Sequence, residues 1–204
     1  MIQAVFFDFG GVIAAIDHQK MRALEDRYGL PQGGLWQAMY GTPEWHALRV
    51  GSGSEQAWVE AIRRTVDELA GRHVSGDIQH EWVKCWRGLD HDVVALAQRL
   101  RGRYRVGMIS NATLKLEREL RDVHRIHHVF DIIVNSARVG MAKPDAGIFR
   151  LAAERAGVEP ARCLHVDDLL QNVRGAEEAG FRAVHYDGHY PALERSLRSF
   201  GVEW

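Results

Sequence analysis

Five short apolar runs recur along the chain, and each of them ends in polar or glycine-rich residues. They occupy positions 2–9, 104–111, 130–137, 162–168 and 182–188. Most of these runs are followed by a stretch whose apolar positions have helical spacing. Near-continuous runs of Val, Ile and Phe that alternate with helices are typical of parallel strands covered on both faces. The pattern therefore predicts an α/β protein built on a parallel sheet.

The alternation is interrupted between about positions 17 and 88. Successive helical patterns fill this segment, and we expect no strand within it. The chain thus divides into a core, residues 1–16 and 89–204, and a helical unit, residues 17–88, inserted after the first strand. We expect the tryptophans of the inserted unit to form its own core, with an aromatic substrate pocket as the alternative. These residues are Trp36, Trp45, Trp58, Trp82 and Trp86.

The composition is that of an ordinary soluble globular protein. Of the 204 residues, 46% are hydrophobic and 26% are charged, and the formal net charge of −1 predicts no attraction to nucleic acid or to an anionic membrane. No apolar run approaches the ~20 residues of a membrane span, and the N-terminal run lacks the basic region of a signal peptide. We expect a cytoplasmic protein in which Cys85 and Cys163 are buried fillers, not a disulfide or a zinc site.

Polar side chains that can carry chemistry stand at the ends of predicted strands. Asp8 comes at the end of the first run, Ser110 and Asn111 end the second, and Asp167 and Asp168 end the fourth. In parallel sheets, reactive groups gather beyond the carboxyl ends of the strands. Taken singly, each residue has an ordinary explanation, because Asp, Ser and Asn are also common in turns and at helix N-termini.

Taken together, these residues indicate a cation and a phosphate. Three carboxylates at one edge of a sheet repel one another unless a cation joins them. Hard oxygen ligands of this kind suit Mg²⁺, which usually keeps several waters and shares its shell with a phosphate. Lys143, in "GMAKPD", and a hydroxyl-bearing residue would hold the remaining phosphoryl oxygens. The best interpretation is a nucleophilic carboxylate that faces a metal-bound phosphate.

Four motifs in this order resemble those of the haloacid dehalogenase superfamily, whose members are mostly Mg²⁺-dependent phosphatases. The motifs are "FFDFGGV", "GMISN", "GMAKPD" and "HVDDLLQNVRGA". The resemblance covers the whole chain, and four motifs in order are far more specific than any one of them. It implies a Rossmann-like parallel-sheet core, and the inserted helical unit resembles the small α-helical cap of the family.

The resemblance also implies a role for each matching residue. Asp8 would be the nucleophile that forms an aspartyl-phosphate. Ser110 and Lys143 would act in catalysis by binding the phosphoryl group, and we count Asn111 among the phosphate-binding residues. The implied function is hydrolysis of a small phosphomonoester, such as a sugar phosphate, by a monomer or a homodimer.

The same resemblance implies the ligands of Mg²⁺. Asp8 and Asp168 would bind the metal directly, and Asp167 would help directly or through water. The backbone carbonyl two residues after the nucleophile, that of Gly10, would complete the protein's share of the shell.

Gly10 is also where the sequence departs from the family pattern. Phosphatases of the family commonly carry a second Asp there, which protonates the leaving alcohol and then activates water, a contribution of roughly 10²–10⁴-fold. Asp17 and His18, at the start of the inserted unit, are candidates to replace it. Alternatively, the leaving group needs little protonation, as in a sugar 1-phosphate or an acyl phosphate. A phosphatase-like subgroup of the family has Gly at this position as well.

Two further functions stay open beside the phosphatase. The dehalogenase branch also lacks the second Asp, because halide leaves without a proton, although the Asp167–Asp168 pair favours phosphate over halide. A protein that binds a phosphorylated metabolite without turnover is the other alternative, although the retained nucleophile favours an enzyme. We expect the histidines of "DVHRIHHVF" to form a solvated helix face and not a metal site; they are His124, His127 and His128.

Overall fold

A computed structural model describes the whole chain, residues 1–204. The strands are β1 (Ala4–Phe7), β2 (Ala14–Ile16), β3 (Trp86–Leu89), β4 (Arg105–Ser110), β5 (Ile132–Asn135), β6 (Cys163–Asp167) and β7 (Arg182–His185). The helices are α1 (His18–Tyr28), α2 (Gly34–Tyr40), α3 (Pro43–Leu48), α4 (Glu55–Ala70), α5 (Ile78–Val83), α6 (His91–Leu100), α7 (Leu116–Arg118), α8 (Ser136–Val139), α9 (Ala146–Ala156), α10 (Leu170–Glu178) and α11 (Tyr190–Ser199).

The main sheet confirms the α/β class. Its five strands stand in the order β5-β4-β1-β6-β7, and all four pairs of neighbours are parallel. Each of the five apolar runs in the sequence supplies one of these strands. The order places β1 at the centre, with β4 and β6 on either side of it. The carboxyl ends of these three strands therefore lie next to one another.

Burial on both faces explains why the strands are apolar throughout. Val5 and Phe7 belong to the larger hydrophobic cluster, whereas Ala4 and Phe6 belong to a second cluster on the other face. Successive side chains of a strand point to opposite faces, so both faces of β1 must be apolar. Helices α6 and α11 contribute to the first cluster, and α9 and α10 contribute to the second.

Helices α1–α5, which we call the helical segment, have a hydrophobic core of their own. Leu24, Leu35, Ile62 and Trp82 are among its buried residues. Helix α4 begins at an N-cap serine, Ser54, whose hydroxyl accepts a hydrogen bond from the Ala57 amide at 3.2 Å. Packing of these short helices against one another buries their apolar faces.

One expectation about this region was wrong. We expected helices alone between 17 and 88, but residues from Trp86 form β3, which pairs antiparallel with β2. The chain enters the helical segment after β2 and returns from it through β3, so these two connections run side by side as a two-stranded ribbon. The helical pattern of this stretch continues only to Val83, because the chain then takes part in strand pairing, which overrides local propensity.

The chain after β4 also differs from the expected helix. Only a three-residue helix, α7, is α-helical there; a π turn follows at Glu119–Val123 and a 3-10 turn at His127–Val129. The sequence suggested that His124 lies on one helix face with His127 and His128. Because the helix is interrupted, His124 does not share a face with them.

Both cysteines are buried and free, as predicted. None of the helices has the length and apolar character that a membrane crossing requires.

Candidate active site

The carboxyl ends of β4, β1 and β6 bring together the polar residues that the sequence pattern indicated. Asp8 directly follows β1, Ser110 is the last residue of β4, and Asp167 is the last residue of β6. Parallel neighbours end at the same edge of the sheet, so these side chains must converge. Asp8, Ser110 and Asp168 line one cavity there.

Lys143 stands at the centre of the site with no exposed surface. Its Nζ lies 2.9 Å from Asp8 Oδ1 and 2.6 Å from Asp167 Oδ2. The Asn111 side chain holds the Lys143 backbone on both sides, since its Oδ1 accepts from the Lys143 amide at 2.8 Å and its Nδ2 donates to the Lys143 carbonyl at 2.9 Å. Both polar atoms of Asn111 are used in this way. Its side chain thus positions Lys143, and because Asn111 also lines the cavity, its contact with phosphate stays a prediction.

Asp167 has no free carboxylate oxygen. Its Oδ2 accepts a hydrogen bond from Lys143 Nζ and lies 2.9 Å from His165 Nε2. Its Oδ1 accepts from the Leu169 amide at 3.0 Å and from Asn172 Nδ2 at 2.9 Å. The side chain is completely buried. Asp167 thus holds Lys143 in place. We predicted that Asp167 helps to bind the metal either directly or through water, and only the contact through water leaves these hydrogen bonds intact.

Asp8 and Asp168 have free oxygens instead. Asp8 Oδ1 accepts from the Phe9 amide at 2.6 Å and from Lys143, whereas its Oδ2 makes no hydrogen bond within the protein. The Asp168 side chain accepts no hydrogen bond from another residue. Both side chains line the cavity. The adjacent aspartates 167 and 168 therefore have different tasks, the first being structural support and the second an available ligand.

Burial and mutual repulsion change the pKa values of these carboxyl groups. Burial raises the pKa of Asp8 to about 6, although Lys143 opposes the change. Burial and the charges of Asp8 and Asp167 raise the pKa of Asp168 to about 7. Burial also acts to raise the pKa of Asp167, but Lys143 and His165 outweigh it and hold that pKa below its usual range.

The site fits a hard divalent cation. One oxygen from each of Asp8, Asp167 and Asp168 can be chosen so that the three lie within 4.8 Å of one another. These three carboxylates face a single ammonium, that of Lys143, so the fully ionised site carries a net charge of −2. All-oxygen donors and this deficit of positive charge match Mg²⁺. Gly10 lines the same cavity, and its carbonyl stays a predicted ligand.

The two glycines that follow Phe9 have different surroundings. Gly11 has a φ of +76°, and a Cβ atom there would lie 2.2 Å from Asp168 Oδ2. Only glycine lets the Asp168 carboxylate come this close to the loop. A Cβ atom at Gly10 would lie 3.3 Å from the indole Cη2 of Trp86. The indole of β3 thus covers the place into which a second Asp would extend.

A cavity of about 990 Å³ lies between this edge of the sheet and the helical segment. The five tryptophans of the inserted unit all line it, although Trp45 and Trp82 are also buried. Our preferred prediction, that these tryptophans form only the core of the inserted unit, was therefore incomplete, since the same indoles form both the core and the pocket wall.

His124 also lines the cavity, with its ring 5.5 Å from that of Phe9, and does not belong to a solvated helix face.

The two candidates for the missing acid lie outside the cavity. Asp17 caps α1 by accepting from the Lys20 amide at 3.1 Å, and its other oxygen lies 3.3 Å from Arg87 Nε. His18 is exposed at the first position of α1. Neither candidate lines the cavity, so the structure does not place Asp17 or His18 where the second Asp would act.

Sequence reasoning overlooked two residues that support the site, His165 and Asn172. His165 precedes Asp167 by two positions on β6, so both side chains lie on the same face of the strand. Asn172 stands in the first turn of α10 and reaches back to Asp167. The period of the strand and the start of the helix were the available signals. Asn172 Oδ1 and His165 Nδ1 are buried without a hydrogen-bond partner.

The fold and the site together define a class of protein in which a parallel α/β sheet presents a carboxylate at the end of its central strand. Residues 2–180 match the model of the haloacid dehalogenase-like hydrolases. The chain belongs to this family. The match confirms the resemblance that the four motifs suggested.

Similar proteins include both chemistries of the family. The chain is 29% identical over 198 residues to a protein named phosphatase MT3486 from Mycobacterium tuberculosis (strain CDC 1551 / Oshkosh), and the match spans 91% of this chain and 88% of that one. An HAD family enzyme from Bacteroides thetaiotaomicron, solved with magnesium and inorganic phosphate, has a TM-score of 0.67 at 21% identity, with 93% and 96% coverage. L-2-haloacid dehalogenase from Xanthobacter autotrophicus has a TM-score of 0.64 at 20% identity, with 100% and 85% coverage. The two structures establish the shared fold only.

Proposed function

We propose that this protein hydrolyses a small phosphomonoester with the aid of Mg²⁺, through an aspartyl-phosphate on Asp8. The observation that carries the proposal is the state of the Asp8 carboxylate: one oxygen is fixed by the Phe9 amide and Lys143, and the other is free. The phosphatase name of the relative that matches 91% of the chain supports the same reaction.

The first step forms a bond between Asp8 Oδ2 and phosphorus and breaks the bond between phosphorus and the leaving oxygen. Lys143 and Ser110 donate hydrogen bonds to the phosphoryl oxygens and stabilise the charge that develops there. When bound by Asp8 and Asp168, Mg²⁺ neutralises the phosphate charge that these carboxylates would otherwise repel. Attack of water on the aspartyl-phosphate then releases phosphate and restores Asp8.

The residues around Lys143 keep it charged and in place. Burial acts to lower the pKa of Lys143, but Asp167 and Asp8 outweigh burial and the pKa is raised. Asn111 fixes its backbone, and Asp167 fixes its ammonium. The lysine therefore reaches the nucleophile with its conformation already determined, which reduces the reorganisation needed during the reaction.

The missing second Asp limits the leaving groups that this site can expel. Trp86 covers Gly10, and neither Asp17 nor His18 lies in the cavity. Tyr40 lines the cavity, but burial raises its pKa to about 12, so its hydroxyl stays protonated and donates only a hydrogen bond. We infer that the leaving group departs with little protonation, which was one of the explanations that the sequence allowed.

Dehalogenation is the second candidate, because a halide also leaves without a proton. The charges at the site favour phosphate. A site with a net charge of −2 repels a haloacid carboxylate as it does a phosphate, and the cation that removes this repulsion has no further task when a carbon–halogen bond is attacked. A protein that binds a phosphorylated metabolite without turnover would use the same charges, but it would not need a free oxygen on Asp8.

The test is phosphate release from 4-nitrophenyl phosphate with and without Mg²⁺. The variants are Asp8→Asn and, as a matched control, Asp17→Asn, whose carboxylate lies outside the cavity. We expect Mg²⁺-dependent release that Asp8→Asn abolishes and Asp17→Asn retains. A phosphoryl group on the peptide that contains Asp8, trapped by acid quench and found by mass spectrometry, would identify the intermediate.

Three outcomes would contradict the proposal. Halide release from 2-chloropropionate without Mg²⁺, in the absence of phosphate release, would make the protein a dehalogenase. No turnover of either substrate, together with tight binding of inorganic phosphate and Mg²⁺, would make it a binding protein. Retention of activity in Asp8→Asn would show that another residue is the nucleophile.

A further inference from the structure

A continuous series of aromatic rings leads from the nucleophile into the helical segment. Trp86 lies against Gly10, its ring is 6.2 Å from that of Trp82, and Trp82 is 6.0 Å from Tyr40. Tyr40 is in turn 5.1 Å from Trp45. All four rings line the cavity, and we call them the aromatic wall. These rings meet edge to face, at separations where aromatic groups attract one another, and the same attraction would extend to an aromatic ligand in the cavity.

An arginine without an acidic partner stands where the aromatic wall ends. Arg49 follows Trp45 by four residues, at the C-terminal end of α3, and therefore lies on the same face. Its Nη2 is 2.9 Å from His46 Nδ1, and no carboxylate lies within ion-pair distance of it. Both Arg49 and His46 line the cavity.

The Arg49 guanidinium has a hydrogen-bond donor that the protein does not use. Its Nε is buried and has no partner, which is costly for a charged group. Burial alone accounts for the lowered pKa of Arg49, because no neighbouring carboxylate offsets it. A buried donor beside an uncompensated positive charge is a good receptor for an anionic oxygen of a ligand.

The leaving group that an aromatic wall would accept is also one that this site can expel. A phenol has a pKa of about 10, as the tyrosine side chain does. An aliphatic alcohol is about as weak an acid as water, with a pKa of roughly 15.7. A phenolate therefore departs without the proton that a second Asp at Gly10 would have supplied. Shape and chemistry thus point to the same kind of leaving group.

We propose that the substrate is an aryl phosphate whose rings lie along the aromatic wall and whose second anionic group, a carboxylate, binds Arg49. This inference rests on the proposed phosphatase function and specifies its substrate class. A sugar carries several hydroxyl groups, and any of them that turned toward an apolar ring would lose a hydrogen bond to water without replacing it. Arg49 and the wall would select the substrate, and Asp8 would attack it.

The binding test uses Asp8→Asn protein with Mg²⁺, so that no turnover occurs. The probes are two matched pairs of different length, since the wall is longer than one ring: phenyl with 4-carboxyphenyl phosphate, and biphenyl-4-yl with 4′-carboxybiphenyl-4-yl phosphate. Calorimetry gives the dissociation constant of each. For at least one pair we expect the carboxylate to tighten binding about 10-fold, as a charge-assisted bond in a half-buried site should.

The decisive variant is Arg49→Gln, made in the Asp8→Asn protein. We expect the 10-fold preference for the carboxylated probe to fall to about 1-fold. Arg63→Gln is the matched control, because Arg63 is an exposed arginine of α4 that forms no ion pair and does not line the cavity. It should retain the preference. Near-UV circular dichroism would show whether the packing of the tryptophans has been preserved in each variant.

Several results would overturn the inference while leaving the proposed function intact. No preference for the carboxylate at either length, or a preference that survives Arg49→Gln, would remove Arg49 as the anion site. Tighter binding of glucose 1-phosphate or hexyl phosphate than of both aryl phosphates would remove the aromatic substrate class. Failure of the proposed function would be visible separately, as the absence of Mg²⁺-dependent phosphate release from every ester in the active protein.

Discussion

Replacement of Asp168 by Asn should stabilise the metal-free protein. Asp168 has no hydrogen-bond partner for its carboxylate, and burial together with the nearby charges of Asp8 and Asp167 raises its pKa. Asn has the same shape, so it fits against Gly11 without a new clash, and it removes one of the repelling charges. A substitution at a proposed metal ligand would thus increase stability, as expected where a site is organised for binding and not for folding.

The magnitude follows from the pKa of Asp168. It rises from 3.8 to about 7 on folding, and each pKa unit corresponds to about 1.4 kcal/mol. Because the folded pKa lies above the unfolded one, the native state binds more protons in this window, and stability falls as the pH rises from about 4 to about 7. We expect Asp168→Asn to raise the free energy of unfolding by about 2–4 kcal/mol at pH 8, after allowance for partial exposure, and to leave it almost unchanged at pH 4.

The measurement is urea unfolding followed by tryptophan fluorescence at pH 4 and pH 8, with EDTA or with Mg²⁺. In Mg²⁺ at pH 8 the wild-type protein should gain stability through binding, whereas Asp168→Asn should gain almost none. Asp167→Asn is the control, and should lose about 3–5 kcal/mol because it breaks a buried ion pair with Lys143. Destabilisation by Asp168→Asn at pH 8 without metal, or an equal gain at both pH values, would refute the repulsion argument.

Three further substitutions test other parts of the site. Gly11→Ala should lower stability by about 1 kcal/mol or more and weaken Mg²⁺ binding in calorimetry, because its φ is +76° and the new Cβ meets Asp168; unchanged Mg²⁺ affinity would contradict this. Lys143→Met should reduce kcat for 4-nitrophenyl phosphate by about 10²–10³-fold, since it leaves Asp8 without its cation; a loss below 10-fold would argue against the assigned role. His18→Ala should keep kcat/KM within about 2-fold, because it changes an exposed side chain outside the cavity; a large loss would return His18 to the site.

The main sheet was predictable because its signal is local. Each strand is a short apolar run, and burial on both faces forces that composition on any parallel sheet. The ribbon of β2 and β3 was not predictable in the same way. Trp86–Leu89 has no alternating pattern of its own and becomes a strand only because Ala14–Ile16 lies beside it. Pairing between segments distant in sequence leaves little trace in either segment.

The positions of the site residues were more predictable than the contacts that these residues make. The position of Asp8, Lys143 and Asp168 at strand ends or loops follows from the sequence pattern and from the resemblance to the family. The division of labour between Asp167 and Asp168 does not, since the two are identical in chemistry and adjacent in the chain. It depends on which carboxylate meets Lys143 and which remains free beside Gly11.

The sequence by itself determined the class of fold, the family and the set of charged groups at the carboxyl edge of the sheet. Only the tertiary structure decided what surrounds them. Trp86 covers Gly10, Arg49 has no acidic partner, and Asp17 and His18 lie outside the cavity. The physical reason is that residue type and spacing fix local conformation, whereas burial, unpaired charge and the lining of a cavity arise when distant segments pack together.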